Sequence, residues 1–217
     1  MYKKICNKCN RLVRYRSSIK PKMASATTYW NKPVLPFGDN SAWLLIVGLA
    51  PGAHGANRTS IPFCGDGAGR LLYNALYETG FTSKEHFTEP DPMFRLKGVL
   101  ITNAVRCVPP KNKPSAQEFK NCIDYLRETL TTETITDILC IGRDSFLQIC
   151  KILEMNKTAF KHGYSYTFNN YNVHCCYHTS TYNQNTNRIS KEELVSILRI
   201  IKKIKLLIKR LSCKNKF

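Results

Sequence analysis

The sequence predicts an α/β protein, a three-layer α/β/α sandwich with a central four-stranded, mainly parallel sheet. Four short apolar runs are each followed, after a loop, by a segment with helical periodicity. Continuous apolar runs are typical of parallel strands that are buried on both faces. Because strand–helix–strand connections of this kind are right-handed, the helices are expected to cover both faces of the sheet.

The predicted elements alternate along the chain. The strands are WLLIVG at 43–48, GVLIT at 98–102, DILCIG at 137–142 and VHCCYH at 173–178. The helices lie near 69–79, 115–130, 144–155 and 190–212. The last helix carries one apolar stripe that is expected to dock on the protein: Leu194, Ile197, Leu198, Ile201, Ile204, Ile208 and Leu211. Functional loops are expected at the carboxyl ends of the strands.

The length of 217 residues is that of one globular domain, and we expect residues 1–217 to form a single domain. Residues 1–22 form a basic arm with eight Lys or Arg and no acid, and residues 20–41 show little regular pattern. Neither a secretory signal nor an apolar run of membrane-spanning length is present, so a cytoplasmic protein without a membrane partner is expected.

The charge of the chain indicates a polyanionic partner. The 33 Lys and Arg against 15 Asp and Glu give a formal net charge of +18. Neutralising the phosphates of a nucleic acid releases condensed counterions, which favours binding. An anionic membrane surface would also attract such a protein, and a drift of composition toward Lys is the alternative explanation.

The ten cysteines are read as metal ligands or as small buried side chains, because a reducing compartment disfavours disulfides. Cys6 and Cys9 form a CxxC pair, and Cys107 and Cys122 form a second pair separated by 14 residues. Two such pairs predict one site with four sulfur ligands, and the spacing leaves zinc and iron–sulfur both open. The alternative is that Cys107 and Cys122 are ordinary core residues.

Three segments carry a resemblance to a known family. The glycine-rich segment GLAPGAHGANRTSIPFCGDGAG spans Gly48 to Gly69, ITNAVRCVPP spans 101–110 and HTSTYNQNTNRIS spans 178–190. Together they resemble the conserved motifs of family 5 uracil-DNA glycosylases, over nearly the whole chain from Cys6 to Ser190. Three positions depart from the family pattern: Cys64, Thr179 and Asn187, the latter two replacing a proline and a glycine.

The resemblance implies an enzyme that flips uracil, or another deaminated base, out of DNA and hydrolyses its N-glycosidic bond. It places a 4Fe-4S cluster on Cys6, Cys9, Cys107 and Cys122. We expect a monomer that acts in DNA repair. The alternatives are a metal-stabilised nucleic-acid-binding module without enzymatic activity and an iron–sulfur electron carrier. An electron carrier needs no long basic surface.

The catalytic candidates follow from the charge that bond cleavage develops on the base and the sugar. By resemblance, a neutral His178 donates a hydrogen bond to the departing base. Ala50 stands where other glycosylase families have a water-activating carboxylate, which leaves Asp66 as the nearest carboxylate. Asp66 is equally suited to cap the following helix. Asn103 matches an amide that reads the polar edge of the base, or is a turn residue.

The remaining candidates are assigned to binding. We expect the base to contact Ala50, His54, Phe63 and Asn103, with Phe63 stacking on it unless that ring is part of the core. The resemblance implies that the loop containing Tyr182 and Asn183 fills the space that the flipped base leaves. Phosphate contacts are expected from Arg58 and Arg188, although any exposed arginine in a basic protein looks similar.

Overall fold

The computed structural model describes residues 5–21, 28–131, 134–155 and 158–214, without the side chains of residues 209 and 212–214. One sheet has the strand order β1-β3-β2-β4-β6-β5. Its strands are β1 Phe37–Gly38, β2 Leu44–Gly48, β3 Val99–Asn103, β4 Asp137–Ile141, β5 Ser165–Phe168 and β6 Tyr171–Cys176. Strands β3, β2, β4 and β6 pair in parallel, as predicted.

The sheet has six strands rather than the predicted four, because an antiparallel strand is added at each edge. Strand β1 has two residues, too few for a recognisable pattern. Strand β5, with the sequence SYTF, alternates exposed and half-buried residues and lacks the apolar run of a buried parallel strand. The prediction rested on such runs and therefore found only the four central strands.

The described helices are α1 Asn10–Ser18, α2 Ala56–Thr59, α3 Gly67–Glu78, α4 Ala116–Leu130, α5 Arg143–Leu153, α6 Thr181–Asn185 and α7 Lys191–Lys214. The N-termini of α3 and α4 are defined by their caps. Asp66 accepts a hydrogen bond from Gly69 N before α3, and Ser115 and Glu118 form a reciprocal capping box at the start of α4. The basic arm contains α1, which the sequence analysis did not predict.

Two apolar cores cover the two faces of the sheet. Leu44 and Ile46 of β2 face α3 and α7, whereas Leu45 and Val47 face α4 and α5. This alternation follows from the two-residue period of a strand. The helices therefore lie in layers on both sides of the sheet, which confirms the predicted α/β/α arrangement.

The apolar stripe of α7 is buried only in part. Leu194, Leu198 and Ile201 are fully buried, but Ile208 is 48% and Leu211 63% exposed. The prediction that the whole stripe docks is thus wrong for its last turns, because the helix extends beyond the core that α3 and the sheet provide. No helix in the described ranges combines the length and apolar character needed to cross a bilayer.

Candidate active site

A cavity of about 370 Å³ opens at the carboxyl edge of the parallel strands. It is lined by loops that follow three strands. The loop after β2 contributes residues from Leu49 to Ala68, β3 and its loop contribute Asn103 and Asn112, and the loop after β6 contributes His178, Ser180 and Thr181. The cavity therefore collects three of the polar candidates that the sequence analysis placed at strand ends, Asp66, Asn103 and His178.

A wider depression of about 730 Å³ lies around Gly38–Ser41, away from these loops. Its Asp39 carboxylate already accepts hydrogen bonds from Gly98 N at 2.7 Å and from Ser41 Oγ at 2.7 Å. These bonds, chiefly the one from Gly98, lower the pKa of Asp39. The carboxylate of this depression is therefore used to stabilise a turn. We place the candidate site in the smaller cavity.

Asp66 caps α3 and also lies at the wall of the cavity. Its Oδ1 accepts a hydrogen bond from Gly69 N at 2.9 Å and caps α3. Its Oδ2 lies against Gly52 and Gly55, where a Cβ at Gly52 would be 2.8 Å away and one at Gly55 closer still. Burial raises the pKa of Asp66, while the Gly69 N–H and His178 oppose that rise. Two glycines thus make room for a half-buried carboxylate at the cavity wall.

His178 is held in one orientation by its own loop. Its Nδ1 accepts a hydrogen bond from Ser180 N at 3.1 Å, so the neutral ring carries its proton on Nε2. Burial lowers the pKa of His178, which favours this neutral form, and Asp66 opposes the shift. Asn183 Nδ2 donates to the carbonyl oxygen of His178 at 2.7 Å. The result is a hydrogen-bond donor whose direction is fixed by the backbone.

Asn103 and Phe63 converge on Gly48. A Cβ at that position would lie 2.5 Å from Asn103 Oδ1 and 2.6 Å from the ring of Phe63. Phe63 is buried and has a φ of 59°, an unfavourable value for a residue with a side chain. Its ring centroid is 6.4 Å from that of His178. The amide of Asn103 and the ring of Phe63 therefore lie side by side at the wall of the cavity.

His54 and Arg58 point to protein partners rather than into the cavity. The Tyr29 hydroxyl and His54 Nδ1 are 3.0 Å apart, and His54 is not among the residues that line the cavity. Arg58 donates to His54 O at 3.0 Å and pairs with Glu89 at 2.6 Å. Both side chains are thus engaged in holding the glycine-rich loop.

The loop after β6 presents Tyr182 outward. Tyr182 is 66% exposed, and the Arg188 guanidinium lies 5.9 Å from the centroid of its ring. Asn183 is the other candidate for filling the space of a flipped base. Its side-chain amide donates to His178 O, and its backbone N–H donates to Ser180 Oγ at 3.3 Å. Of the two, Tyr182 is the side chain that projects from the surface.

The four cysteines that are predicted to be ligands lie close enough together for three of them to raise the pKa of the fourth, Cys122. Burial raises the pKa of the Cys122 thiol to about 12, and Cys107, Cys9 and Cys6 add to that rise. Cys107, Cys122 and Cys9 also pack in one apolar cluster with Leu12. The fold therefore gathers residues that are more than 100 positions apart in sequence.

Three of these sulfurs accept hydrogen bonds from side chains: Arg16 to Cys107 at 2.9 Å, Asn121 to Cys9 at 3.3 Å and Tyr125 to Cys6 at 3.8 Å. Donors of this kind stabilise negatively charged sulfur. Within the described residues, no three His, Cys, Asp or Glu side chains are arranged to hold a single metal ion.

Asn112 is a cavity residue that the sequence analysis missed. It lies in the run PPKNKP from Pro109 to Pro114, where Lys111 and Asn112 have φ values of 53° and 54°. Prolines and asparagine are turn residues, which was the available signal. The signal locates a turn but does not say that the turn reaches the cavity.

Comparison with known proteins gives consistent matches. The model of the uracil DNA glycosylase superfamily matches residues 35–202. The chain is 40% identical to a type-5 uracil-DNA glycosylase of Pyrobaculum aerophilum over 89% of this chain and 86% of the relative. It is 36% identical to that of Thermus thermophilus over 92% and 93% of the two chains. A type-4 uracil-DNA glycosylase of Archaeoglobus fulgidus is 31% identical over 56% of this chain and 54% of its own length.

Proposed function

The chain belongs to the uracil DNA glycosylase superfamily, and from this premise we propose how its residues excise uracil from DNA and leave an abasic site. The observation that carries the mechanism is the meeting of Asp66, Asn103 and His178 in one cavity. A duplex hides the bond to be cleaved, so the nucleotide must first rotate out of the helix into that cavity. Uracil, and by the same chemistry other deaminated bases, is the expected substrate.

Asn103 and Phe63 recognise the base. The side-chain amide of Asn103 offers a donor and an acceptor, which suits the polar edge of uracil. Phe63 supplies an apolar face beside it, and Ala50 leaves space on the cavity wall. Stacking on an aromatic ring compensates for part of the stacking that the base loses on leaving the duplex, about 1 to 3 kcal/mol per base.

His178 stabilises the departing base. Cleavage places negative charge on the ring of uracil, and the Nε2–H of a neutral His178 donates a hydrogen bond to a carbonyl oxygen on which that charge collects. Because Ser180 N already occupies Nδ1, the ring does not need to reorient when the bond breaks. This fixed donor is therefore stronger toward the transition state than toward the neutral substrate.

Asp66 orients and deprotonates the attacking water with Oδ2, while Oδ1 continues to cap α3. The two roles are compatible because they use different oxygens. A raised pKa makes the carboxylate a better proton acceptor than an ordinary aspartate. The negative charge of Asp66 also stabilises the positive charge that develops on the sugar.

DNA binding uses the basic surface around the cavity. Tyr182 enters the space vacated by the flipped base, with Asn183 holding the loop beneath it. Arg188 contacts phosphate, and Arg58 does so at its own loop while remaining tied to Glu89. His54 contributes to base binding through the loop that it holds with Tyr29. The net charge of +18 supplies the long-range attraction.

Cys6, Cys9, Cys107 and Cys122 hold a 4Fe-4S cluster, which when bound ties the basic arm to the core. Two observations support this cluster. The other three cysteines lie close enough to Cys122 to raise the pKa of its thiol, and hydrogen-bond donors reach three of the four sulfurs. Arg16 connects both halves of this module, because it donates to Cys107 Sγ and to Cys6 O, each at 2.9 Å. The role of the module is structural, since none of these cysteines lines the cavity.

We also propose that residues 1–217 act as one monomeric domain in the cytoplasm. A single sheet contains all six strands, and residues of one chain complete the cavity. None of the nine cysteines in the described ranges forms a disulfide, which is the arrangement that a reducing compartment favours. A non-enzymatic binding module would account for the charge and the cysteines but not for the half-buried Asp66 and His178 at one cavity.

An end-labelled duplex with one uracil, incubated with the protein and then treated with alkali, tests the function. Strand cleavage at the uracil position is expected, with none in a duplex that has thymine there. A His86→Ala variant should retain the parent activity, since His86 is exposed and is not among the residues that line the cavity. A parent protein that binds DNA but leaves uracil intact would support the binding-module alternative.

A further inference from the structure

The exposed side of α7 carries large apolar side chains that do not dock on the core. Ile200 is 53% exposed, Leu207 47% and Leu211 63%. Leu198 and Ile201, on the docked side of the same helix, are fully buried. Single apolar side chains on a surface are common, but several on one helix face indicate a surface that another molecule covers.

The exposed apolar residues have the spacing of a helix–helix contact. Along α7 they alternate between three and four residues apart and form what we call the seam: Ile197, Ile200, Ile204, Leu207 and Leu211. This spacing keeps one narrow stripe facing a second helix over about four turns, and isoleucine and leucine are the residues that such a contact prefers. Ile197 and Ile204 are half-buried, so the seam begins at the edge of the docked face.

The second half of α7 lies at the end of the sheet opposite the cavity. Lys205 Nζ donates to Thr136 Oγ1 at 2.7 Å and lies 5.3 Å from the centroid of the Trp43 ring. Thr136 and Trp43 immediately precede β4 and β2, whereas the cavity opens at the carboxyl ends of the parallel strands. DNA bound at the cavity therefore leaves the seam accessible, and the seam fits a different partner.

Two exposed cations flank the seam. Lys203 and Arg210 each lie one residue before a member of the seam, Ile204 and Leu211. Among the described residues neither forms an ion pair, and the helix has no acidic residue after Glu193. Charged residues beside an apolar seam commonly form salt bridges with the partner helix, and they decide which partner binds.

A second copy of this chain does not match these charges. In an antiparallel pair of α7 helices, Lys203 and Arg210 would face the same two cations of the other copy, and like charges repel. In a parallel pair, Lys203 would face Ile208, which offers no countercharge. A different helix with Glu or Asp at the facing positions would pair with both cations.

We propose that the seam of α7 is a docking surface for an amphipathic helix of a partner protein, with acidic residues beside its own apolar stripe. The apolar side chains of the partner pack against Ile200, Leu207 and Leu211, and its carboxylates pair with Lys203 and Arg210. Because the seam lies opposite the cavity, partner and DNA bind at the same time. The inference does not depend on the chemistry proposed for the cavity.

Titration of the full-length protein with labelled synthetic helical peptides, followed by fluorescence anisotropy, tests the surface. The two probes have about three heptads with isoleucine and leucine at the seam positions, and either glutamate or lysine at all flanking positions. The parent should bind the glutamate peptide more tightly than the lysine peptide, and added salt should weaken this binding because it screens the ion pairs. Leu207→Gln should weaken the binding about ten- to hundredfold, the effect of losing one buried leucine.

Leu206→Gln is the matched control. Leu206 is 51% exposed on the same helix, close to the 47% of Leu207, but it lies outside the spacing of the seam. This variant should bind the glutamate peptide as the parent does. Both variants should keep the parent rate of uracil cleavage, since neither residue lines the cavity.

Four outcomes would overturn the proposal. They are equal weakening in Leu206→Gln and Leu207→Gln, equal affinity of the parent for the two peptides, and a parent that binds neither peptide. The fourth is a parent that sediments as a dimer and becomes monomeric in Leu207→Gln, because a second copy would then cover the seam. Binding to vesicles of anionic phospholipid without binding of the glutamate peptide would likewise assign the seam to a membrane surface instead.

Discussion

Asp66 and His178 line one cavity, and each opposes the shift that burial imposes on the pKa of the other. Burial raises the pKa of Asp66 and lowers that of His178. At a pH above both pKa values, Asp66 is a carboxylate and His178 is a neutral imidazole. A glycosylase needs this combination, because one group must accept a proton and the other must donate a hydrogen bond.

The first prediction concerns pH. Activity should fall on the acid side as Asp66 becomes protonated, at a pH above the ordinary aspartate range because its pKa is raised. Burial lowers the pKa of His178, so the neutral form of its ring persists to a more acidic pH than that of a free histidine. Single-turnover rates measured across mildly acidic to neutral pH would check it. A rate that remains constant down to the ordinary aspartate pKa would show that Asp66 is not the proton acceptor.

The second prediction concerns His178→Ala. Loss of a donor that acts in the transition state typically costs about 3 to 4 kcal/mol, so the single-turnover rate should fall roughly 100- to 1000-fold. DNA affinity should remain near that of the parent, because the donor binds the departing base and not the backbone. A rate within about threefold of the parent would reject the assigned role.

The sequence was sufficient for the central fold, because buried parallel strands leave apolar runs and loops at their carboxyl ends. It also predicted that Asp66 and His178 belong to such loops, where the structure brings them together. The edge strands β1 and β5 escaped prediction since they are short or half-exposed. Their pairing depends on neighbouring strands rather than on a local pattern.

Two positions show why the rest of the site was not predictable. His54 is predicted to contact the base, and the structure adds a hydrogen bond between its Nδ1 and the hydroxyl of Tyr29, a residue in a segment without regular pattern. Asn112 was not considered, although its strained backbone carries it to the cavity. Both facts depend on how loops pack against one another, and single-residue chemistry does not encode that packing.

The third prediction concerns Gly48→Ala. The added Cβ would lie 2.5 Å from Asn103 Oδ1 and 2.6 Å from the Phe63 ring, too close for either to keep its place. Overpacking of this kind typically costs about 1 to 3 kcal/mol of stability. The rate of uracil cleavage should fall by more than the loss of folded protein explains, since both side chains that are proposed to contact the base would move. Thermal melting together with uracil cleavage would measure the two effects, and unchanged cleavage would contradict the convergence of these side chains.

The fourth prediction concerns Cys107→Ser. The parent should be brown from a 4Fe-4S cluster, and the variant should lose the visible absorption, some stability and DNA affinity. Cys150→Ser is the matched control, because Cys150 is buried on α5 outside the four-cysteine group. It should keep the colour. A colourless parent with one stoichiometric zinc would reject the cluster.

The last prediction separates the two oxygens of Asp66. Asp66→Asn and Asp66→Ala should both lose most activity, because neither has a carboxylate to activate water. Asparagine is as good an N-cap as aspartate, whereas alanine costs typically about 1 kcal/mol, so only Asp66→Ala should lose the stability of the α3 cap.

The pH dependence of stability sharpens the comparison. Because the pKa of Asp66 is raised in the folded state, the folded protein holds its proton more tightly than the unfolded chain, and stability falls as pH rises through that window. Asp66→Asn removes this cost and should gain melting temperature relative to the parent more at neutral pH than at acidic pH. Melting curves at both pH values would test it. Activity retained in Asp66→Asn, with stability lost only in Asp66→Ala, would reduce Asp66 to a helix cap.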